Sequence, residues 1–381
     1  MQMINPFSGI GLPRKDLVFW SDRHELKERL MGFLKSTDNP NVKTLLLLGE
    51  YGSGKTHALL FSKITCDQLD PPIPAVYISS PSGSFSELYR KIIETLGFDQ
   101  IVLTFDTLIS RSREKILSAI EKESKEREEL RRVESLSTER IIQHSFPNID
   151  SDLAIVLGQV YNDRNLDLCR AWLLGRDLTK TEMSRLNVSK SVTSDEATVK
   201  ILGDVLKLII ASRQQVILLI DEFEDVGNLA KTNLINYLKA FRKFIDQNIA
   251  GLKIIVAWTF TSYQQFLGEQ GVFRGKTYEA LTDRLRYNVE NLEPMRGKDL
   301  ENFISDSISR VYNKGFTELI DPKAIRFLEL QIDTYPRQLN IVLNRAFQLA
   351  IEKNLFPIDV KLVTEALRQS GVPSKPSSKV A

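Results

Sequence analysis

A glycine-rich segment near the start of the chain has the spacing of a phosphate-binding loop. It fits the pattern G-x-x-x-x-G-K-[ST] at every fixed position and reads Gly49-Glu50-Tyr51-Gly52-Ser53-Gly54-Lys55-Thr56. Glycine reaches backbone torsions that are closed to other residues, so successive N–H groups can point inward at phosphate oxygens. Lys55 supplies a cation for the terminal phosphates, and the Thr56 hydroxyl is a ligand for Mg²⁺. The segment, with His57 directly after it, predicts a site for ATP and Mg²⁺.

Two acids follow an apolar run, Val216–Ile220, later in the chain. A carboxylate at the carboxyl end of a parallel strand lies where ligands bind in such sheets. We predict that Asp221 holds Mg²⁺, directly or through water, and that Glu222 orients and polarises the attacking water. A surface acid after a core strand is the alternative, which the phosphate loop disfavours. We interpret Glu224 and Asp225 as solvated acids at a helix start.

Polar and cationic side chains elsewhere could complete such a site. Thr259 is the first candidate, and Thr261 the second, for a residue that holds the water between the acids. Arg284 and Arg286 precede the last core strand, where an arginine of a ring-forming ATPase can reach the neighbouring subunit's γ-phosphate. Arg337 opens a later helix and would project toward the nucleotide. The alternatives are a threonine that suits a strand and arginines on solvated helix ends.

The elements that must position these residues alternate between strands and helices. Short apolar runs predict strands, which we place at Thr44–Leu48, Ala75–Ser79, Val216–Ile220, Lys253–Phe260 and Val289–Leu292. Periodic segments predict helices, which we place at Phe19–Leu34, Lys55–Leu69, Phe85–Leu96, Leu234–Ile249 and Tyr278–Leu285. This alternation predicts an α/β fold around a parallel sheet.

A helical pattern interrupts this alternation between about residues 104 and 200. Thr107–Ile142 is dense in charge and predicts one long helix or a helical hairpin, and Leu153–Leu174 also predicts a helix. Asn187–Thr193 predicts a loop, followed by a helix at Asp195–Ser212. We interpret 104–200 as a helical insertion that binds a partner or covers the core.

The chain therefore divides into an N-terminal arm and helix (1–40), a nucleotide-binding core (41–293) and a helical lid (294–371). The lid is predicted to contain helices near 298–313, 322–331, 336–353 and 360–369. Residues 372–381 are rich in Pro, Ser and Lys and predict a disordered tail.

Composition places the chain among ordinary globular proteins. Its 381 residues are 42% hydrophobic and 26% charged, with a net charge of +2, too small a bias to prove nucleic-acid binding. No apolar run approaches the roughly 20 residues of a membrane span, and residues 1–14 have no signal-peptide pattern. Cys66 and Cys169 lack metal-ligand spacing, so we expect a reducing, cytoplasmic location and no membrane partner.

With these motifs in order, the chain resembles the AAA+ P-loop ATPases, in the branch of the origin-recognition initiators. Its opening is similar to the N-terminal box of that branch, although Ser21-Asp22-Arg23 departs from the usual glycine-arginine-glutamate. A closer resemblance, over roughly residues 1–370, is to the ATPases of BREX-type phage-defence systems. It is carried by the phosphate loop, Arg170-Ala171-Trp172-Leu173-Leu174-Gly175 and Tyr278-Glu279-Ala280-Leu281-Thr282-Asp283-Arg284-Leu285.

The resemblance implies an AAA+ fold with a parallel sheet core, a helical insertion and a helical lid, and a homo-oligomeric ATPase. It also implies DNA-directed partners, such as a helicase or another defence protein, with double-stranded DNA a candidate ligand. The initiators carry a winged-helix domain after the lid, for which this chain leaves too little length. We therefore expect any DNA contact to come from the core, the insertion or a partner.

The sequence is also compatible with two other functions. One is a nucleotide-controlled assembly switch in which hydrolysis is slow and resets the state. The other is a scaffold that binds nucleotide without hydrolysis, which Glu222 argues against. Interleaved basic residues could contact DNA phosphates, although a solvated helix face is the simpler interpretation; they are Arg111, Arg113, Lys115, Arg127, Arg131 and Arg132.

Overall fold

The computed structural model describes residues 4–7, 20, 22–36, 44–123, 141–142, 145–267, 276–286, 288–312 and 315–375; side chains at 115–123, 266–267 and 276–280 are not described. Several expectations lie outside this part of the chain. They concern most of the N-terminal arm, the end of the tail, and residues Ser21, Arg127, Arg131 and Arg132.

Five strands of the described chain form one parallel sheet. Its order is β2-β3-β4-β1-β5. The strands are β1 (Thr44–Gly49), β2 (Ala75–Ile78), β3 (Val216–Ile220), β4 (Leu252–Thr259) and β5 (Val289–Asn291). The predicted parallel α/β architecture is confirmed, with each predicted strand present within one or two residues of its expected bounds.

Burial explains why the central strands form. β1 and β3 are buried at every position, which suits apolar runs that helices cover on both faces. Gly49 at the end of β1 pairs in register with Thr259 at the end of β4, and Ile220 at the end of β3 pairs with Val256. The segments after these three strands therefore meet at one edge of the sheet.

Helices surround the sheet and form the rest of the fold. They are α1 (His24–Lys35), α2 (Lys55–Gln68), α3 (Phe85–Leu96), α4 (Phe98–Glu123), α5 (Ser151–Tyr161), α6 (Leu166–Leu173), α7 (Lys180–Leu186), α8 (Asp195–Arg213), α9 (Lys231–Asp246), α10 (Phe260–Leu267), α11 (Lys276–Arg286), α12 (Gly297–Ser309), α13 (Pro322–Gln331), α14 (Pro336–Lys353) and α15 (Val360–Ser370). Two 3₁₀ turns lie at Phe223–Asn228 and Phe316–Glu318.

The region predicted as an insertion differs from expectation in three ways. Helix α4 begins at Phe98, before the expected start at Thr107. The single helix expected at Leu153–Leu174 is two helices, because Asp163 and Asn165 adopt left-handed torsions with φ of 52° and 49°. The sequence pattern also does not predict α7. Outside this region, it does not predict α10.

The same region packs into the main apolar core instead of lying over it. Trp172 and Leu157 are fully buried in a cluster that also contains Phe85 of α3 and Leu218 of β3. The Trp172 indole N–H donates to the Lys190 carbonyl at 2.8 Å. Helices α4 to α8 therefore contribute to the stability of the sheet. Within the described residues, no helix is both long and apolar enough to cross a lipid bilayer.

The lid has its own apolar cluster, and residues 4–7 pack against it. The cluster draws on α12 to α15 and also contains Phe7, which is 4% exposed. The Phe7 ring lies 5.4 Å from that of Phe347, and the Asn5 amide donates to the Asn344 carbonyl at 2.9 Å. By packing, residues 4–7 belong with the lid, whereas the sequence assigned them to a separate N-terminal arm. The division into an arm, a core and a lid otherwise stays a prediction.

A buried lysine on β4 holds the end of helix α1. The Lys253 ammonium donates to the carbonyls of Phe33 at 2.6 Å, Leu34 at 2.8 Å and Ser36 at 2.6 Å. Lys253 is 5% exposed, and burial lowers the pKa of its ammonium to about 8. The last carbonyls of a helix have no partner within it, so Lys253 satisfies groups that α1 cannot.

We expect Lys253→Met to lower the free energy of unfolding by about 2–4 kcal/mol, because the Leu34 carbonyl loses its side-chain donor and the carbonyls of Phe33 and Ser36 each lose one of two. Urea denaturation followed by circular dichroism measures this loss. Lys35→Met is the matched control, since Lys35 is an exposed lysine in the last turn of α1 and should change stability by less than about 0.5 kcal/mol. Equal denaturation midpoints for the two variants would contradict this account of α1.

Candidate functional site

The phosphate loop connects β1 to α2 at the carboxyl edge of the sheet. Gly52 and Gly54 adopt positive φ values of 82° and 104°, which explains glycine at both positions. Lys55 is buried, and its ammonium donates to the carbonyls of Gly49 at 2.8 Å and Glu50 at 3.2 Å. Burial lowers the pKa of Lys55, and the carboxylates of Glu224 and Asp221 oppose that shift. The loop therefore holds a cation at its centre.

The geometry of the loop fits a bound phosphate group. The Ser53 hydroxyl is buried and has no hydrogen-bond partner among the described residues. A Cβ atom built on Gly49 would lie 2.4 Å from the Ser53 Oγ, so glycine leaves that hydroxyl its space. The first N–H groups of α2 have no acceptor within the helix and favour an anion. These donors and the Lys55 ammonium are what a triphosphate requires.

Asp221 lies beside the loop and is bonded on several sides. It accepts hydrogen bonds from the hydroxyls of Thr56 and Tyr77, the latter at 3.0 Å, and from the Glu222 N–H at 3.0 Å. Burial raises the pKa of Asp221, and these donors oppose the shift. Thr56 and Asp221 are therefore in contact, as a shared Mg²⁺ site requires. Tyr77 is a neighbour that the sequence did not indicate, because β2 gave only a strand pattern.

Glu222 occupies an unusual backbone conformation next to Asp221. Its φ of 48° and ψ of 44° lie in the left-handed region, which is sparsely populated by residues other than glycine. The residue is exposed overall, but partial desolvation of its carboxyl, followed by the charge of Asp221, raises the pKa of Glu222. The turn holds the carboxyl at the edge of the sheet, where bound water can reach it.

Glu224 corrects one expectation of the sequence analysis. It is half-buried in the turn after Glu222, and its carboxylate accepts both the Thr259 N–H, at 3.1 Å, and the Thr259 hydroxyl. The interpretation of Glu224 as a solvated acid was wrong, because the turn brings it to the end of β4. The second candidate threonine, Thr261, donates to the Glu50 carboxylate at 2.7 Å.

The lid meets the phosphate loop at the start of α14. The Arg337 N–H donates to the Gly52 carbonyl at 3.3 Å, and the Arg337 guanidinium lies 4.5 Å from the centroid of the Tyr51 ring. Proline at the first position of α14 fixes the backbone there. The structure thus brings Arg337 to the loop and stacks its guanidinium on a loop side chain that is 70% exposed. A role of Arg337 toward the nucleotide stays a prediction.

Arg23 joins three parts of the molecule and was not among the predicted site residues. Its guanidinium donates to the Ser53 carbonyl at 2.9 Å and to the Glu293 carbonyl, and its N–H donates to the Asp299 carboxylate at 3.0 Å. These acceptors lie in the loop, at the last residue before the lid and in α12 of the lid. The only sequence signal was the resemblance of residues 21–23 to an N-terminal box. Nearby, the His57 ring lies 6.1 Å from that of Trp20.

The contact between lid and loop predicts a large effect of a small substitution. We expect Gly52→Ala to weaken ATP binding about tenfold. Alanine is strained at a φ of 82°, and its Cβ would lie 2.7 Å from the Cβ of Arg337. Titration with a fluorescent ATP analogue measures the affinity.

Gly32→Ala is the matched control for that substitution. Gly32 lies inside α1, and a Cβ there has nothing within 4 Å. It should leave ATP affinity unchanged and stabilise the protein by about 0.5–1 kcal/mol. Wild-type affinity in Gly52→Ala would show that the observed contact does not matter for binding.

The two candidate arginines contact other elements of their own subunit. Arg284 forms an ion pair with Asp246 of α9, and the Arg286 guanidinium donates to the Tyr263 hydroxyl at 2.9 Å. The Arg284 carbonyl accepts from the Thr44 hydroxyl at the amino end of β1, about 17 Å along the strand from the phosphate loop. These contacts lie with α9, α10 and the amino end of β1, at a distance from the phosphate loop.

The sheet order, the loop after β1 and the acids after β3 define a P-loop nucleotide-binding protein of the AAA+ class. A sequence profile of the family described as BREX system ATP-binding protein BrxC/D matches residues 23–314. The chain belongs to this ATP-binding family, and the resemblance seen in the sequence is confirmed.

Several solved structures align with more than nine-tenths of this chain. The ORC2 protein of Aeropyrum pernix, solved as ADPNP-ADP complexes, is 10% identical, with a TM-score of 0.50 over 98% of this chain and 73% of that one. The ORC1 protein of the same organism, in complex with DNA, is 13% identical at a TM-score of 0.43 over 96% and 68%. Domain III of the Thermotoga maritima replication initiation protein DnaA is 14% identical, with a TM-score of 0.40 over 93% of this chain and 95% of that one. No curated protein matches.

Proposed function

We propose that this protein hydrolyses ATP and that the hydrolysis drives or times the action of a BREX assembly on DNA. One observation carries the enzymatic part of the proposal. A buried lysine in the phosphate loop, the bonded pair Thr56 and Asp221, and the adjacent Glu222 meet at one edge of the sheet. Membership of the ATP-binding family supports ATP as the nucleotide.

Glu222 has the position and chemistry of the residue that activates water. In the proposed reaction, the water oxygen bonds to the γ-phosphorus as the bond from that phosphorus to the β–γ bridging oxygen breaks. ADP leaves with the electron pair, and the water proton passes to the Glu222 carboxylate and then to solvent. Burial raises the pKa of this carboxyl, which makes it a better proton acceptor.

The remaining residues bind and orient the triphosphate. Lys55 and the loop N–H groups would bind the phosphates, and Thr56 with Asp221 would hold Mg²⁺, which offsets phosphate charge when bound. Tyr77 keeps the Asp221 carboxylate directed toward Thr56. Thr259 and Arg337 are the proposed helpers from β4 and from the lid.

A second subunit would supply a further arginine, Arg284 or Arg286, directed at the γ-phosphate. Arg286 is the first of the two to test, because it is exposed, whereas Arg284 is half-buried and paired with the Asp246 carboxylate. An arginine fixed at the developing phosphate charge accelerates such reactions by about 10³–10⁵. Arg286→Ala should abolish turnover in the oligomer without weakening ATP binding.

A nucleotide-controlled assembly switch is the second candidate function. Arg23 favours it, because this residue contacts the phosphate loop, the last residue before the lid and α12 of the lid together. A change in the loop on ATP binding would be transmitted to the lid through these bonds. ATP would then control assembly with a protein partner, and slow hydrolysis would reset it.

Turnover of ATP by the wild type, with and without double-stranded and single-stranded DNA, tests these functions alongside the oligomer mass. Strong stimulation by DNA, with assembly that depends on ATP, supports an ATPase that works on DNA. Slow turnover that DNA does not change supports the switch. No turnover with any DNA or BREX protein present would contradict the enzymatic proposal, and Glu222→Gln gives the background rate.

A further inference from the structure

Both carboxylate oxygens of Glu224 accept hydrogen bonds from the same residue, Thr259. One oxygen accepts the Thr259 N–H at 3.1 Å, and the other accepts the Thr259 hydroxyl. These bonds connect the turn after β3 to the last residue of β4. Because β4 lies between β3 and β1, Thr259 also pairs in register with Gly49, the first residue of the phosphate loop. Thr259 therefore lies beside the phosphate loop with its orientation set by Glu224.

The direction of the hydroxyl bond limits what Thr259 can do. A threonine hydroxyl has one proton to donate and two lone pairs that accept. An ionised carboxylate can only accept, so the proton of the Thr259 hydroxyl is committed to Glu224. The hydroxyl cannot donate to a phosphate oxygen at the same time. What remains available at Thr259 is an acceptor, which suits a water molecule.

We propose that Glu224 is a positioning residue that turns Thr259 into a hydrogen-bond acceptor for the attacking water. The inference rests on the proposed function, since it concerns the same hydrolysis. Glu222 takes the proton from the water, while Thr259 accepts the water's other hydrogen and fixes where the oxygen points. Glu224 acts only through Thr259 and touches neither the water nor the nucleotide.

The other acids of the turn do not contact Thr259 in the described structure. The adjacent acid Asp225 has a different partner, since it accepts from the Ser80 hydroxyl at 2.5 Å. This difference makes Asp225 a suitable control.

The test compares kcat with ATP affinity in single variants. Glutamine at position 224 keeps the shape but offers one acceptor and one donor, so it frees or reverses the hydroxyl bond. We expect Glu224→Gln and Thr259→Val each to lower kcat about 10–100-fold and to change the Kd for ATP by less than about threefold. Thr259→Ser keeps the hydroxyl and should restore most of kcat. Asp225→Asn should behave as wild type.

A double variant shows whether Glu224 acts through Thr259. We expect Glu224→Gln to have no further effect on kcat when Thr259 is already valine. An added loss in that background would mean that Glu224 acts directly and would overturn the proposal. Weaker ATP binding in Thr259→Val with kcat unchanged would also overturn it, because the hydroxyl would then be a phosphate donor.

Thermal unfolding of the same four proteins tests the bond itself, independently of turnover. The two single variants should lower Tm, and the double variant should lower it by less than their sum. Additive shifts would show that the bond does not form in solution. A wild type that does not hydrolyse ATP would remove the proposed function and the water-orienting role together. A wild type that turns over and is unaffected by Glu224→Gln would remove only the present inference.

Discussion

Lys55→Ala should bind ATP at least about 100-fold more weakly than the wild type, a loss of about 3 kcal/mol. The ammonium is buried at the centre of the phosphate loop and donates to the carbonyls of Gly49 and Glu50. Removing it takes away the cation that faces the phosphates, together with its hydrogen bonds to the two loop carbonyls. Isothermal titration calorimetry with ATP and Mg²⁺ measures the loss.

Lys63→Ala is the control for this effect. Lys63 lies two turns further along α2, is half-buried and pairs with Asp67 at 2.8 Å. Its removal changes the charge of the same helix by the same amount, so a general electrostatic effect would appear in both variants. We expect wild-type affinity in Lys63→Ala. Similar affinities for Lys55→Ala and the wild type would mean that ATP binds elsewhere.

Glu222→Gln should retain ATP binding within about threefold and lose turnover by about 100-fold or more, as expected on removal of the group that accepts the water proton. The amide keeps the size of the side chain and its left-handed turn, so binding should not suffer. Phosphate release under saturating ATP measures turnover, and equilibrium titration measures binding. Normal hydrolysis by this variant would show that Glu222 is not the base.

Comparison among the acids of the same turn makes that result specific. Glu222, Glu224 and Asp225 lie within four residues, but only Glu222 has an exposed carboxyl without a described hydrogen bond to another side chain. We expect the largest loss for Glu222→Gln, an intermediate loss for Glu224→Gln and no loss for Asp225→Asn. A larger loss of turnover in Glu224→Gln than in Glu222→Gln would show that the roles of the two acids are reversed.

The strands and lid helices could be predicted because their signals are local. β1 and β3 are buried on both faces and therefore read as unbroken apolar runs. Pro322 and Pro336 mark helix starts in the lid, and the predicted bounds there agree with α13 and α14. The phosphate loop and the acids after β3 are short motifs whose residues are adjacent in the chain, so their proximity needs no knowledge of the fold.

Other features depend on contacts between distant residues or on weak local signals. Glu224 reaches Thr259 only because β3 and β4 are neighbours in the sheet, and Arg23 reaches Ser53 only because α1 packs beside the loop. Neither contact leaves a periodic pattern. Helix α7 did leave a signal, a capping box formed by Thr179 and Glu182, which the loop-like composition around it obscured.

The packing of residues 4–7 against the lid affects how the protein can be divided into fragments. Because the Phe7 ring belongs to the lid cluster, a fragment that starts at residue 294 would lack one of its aromatic residues. A peptide containing residues 4–7 should restore stability to such a fragment when added in trans. Conversely, an affinity tag or fluorophore fused close to residue 4 would report on the lid, although in sequence it adjoins the core.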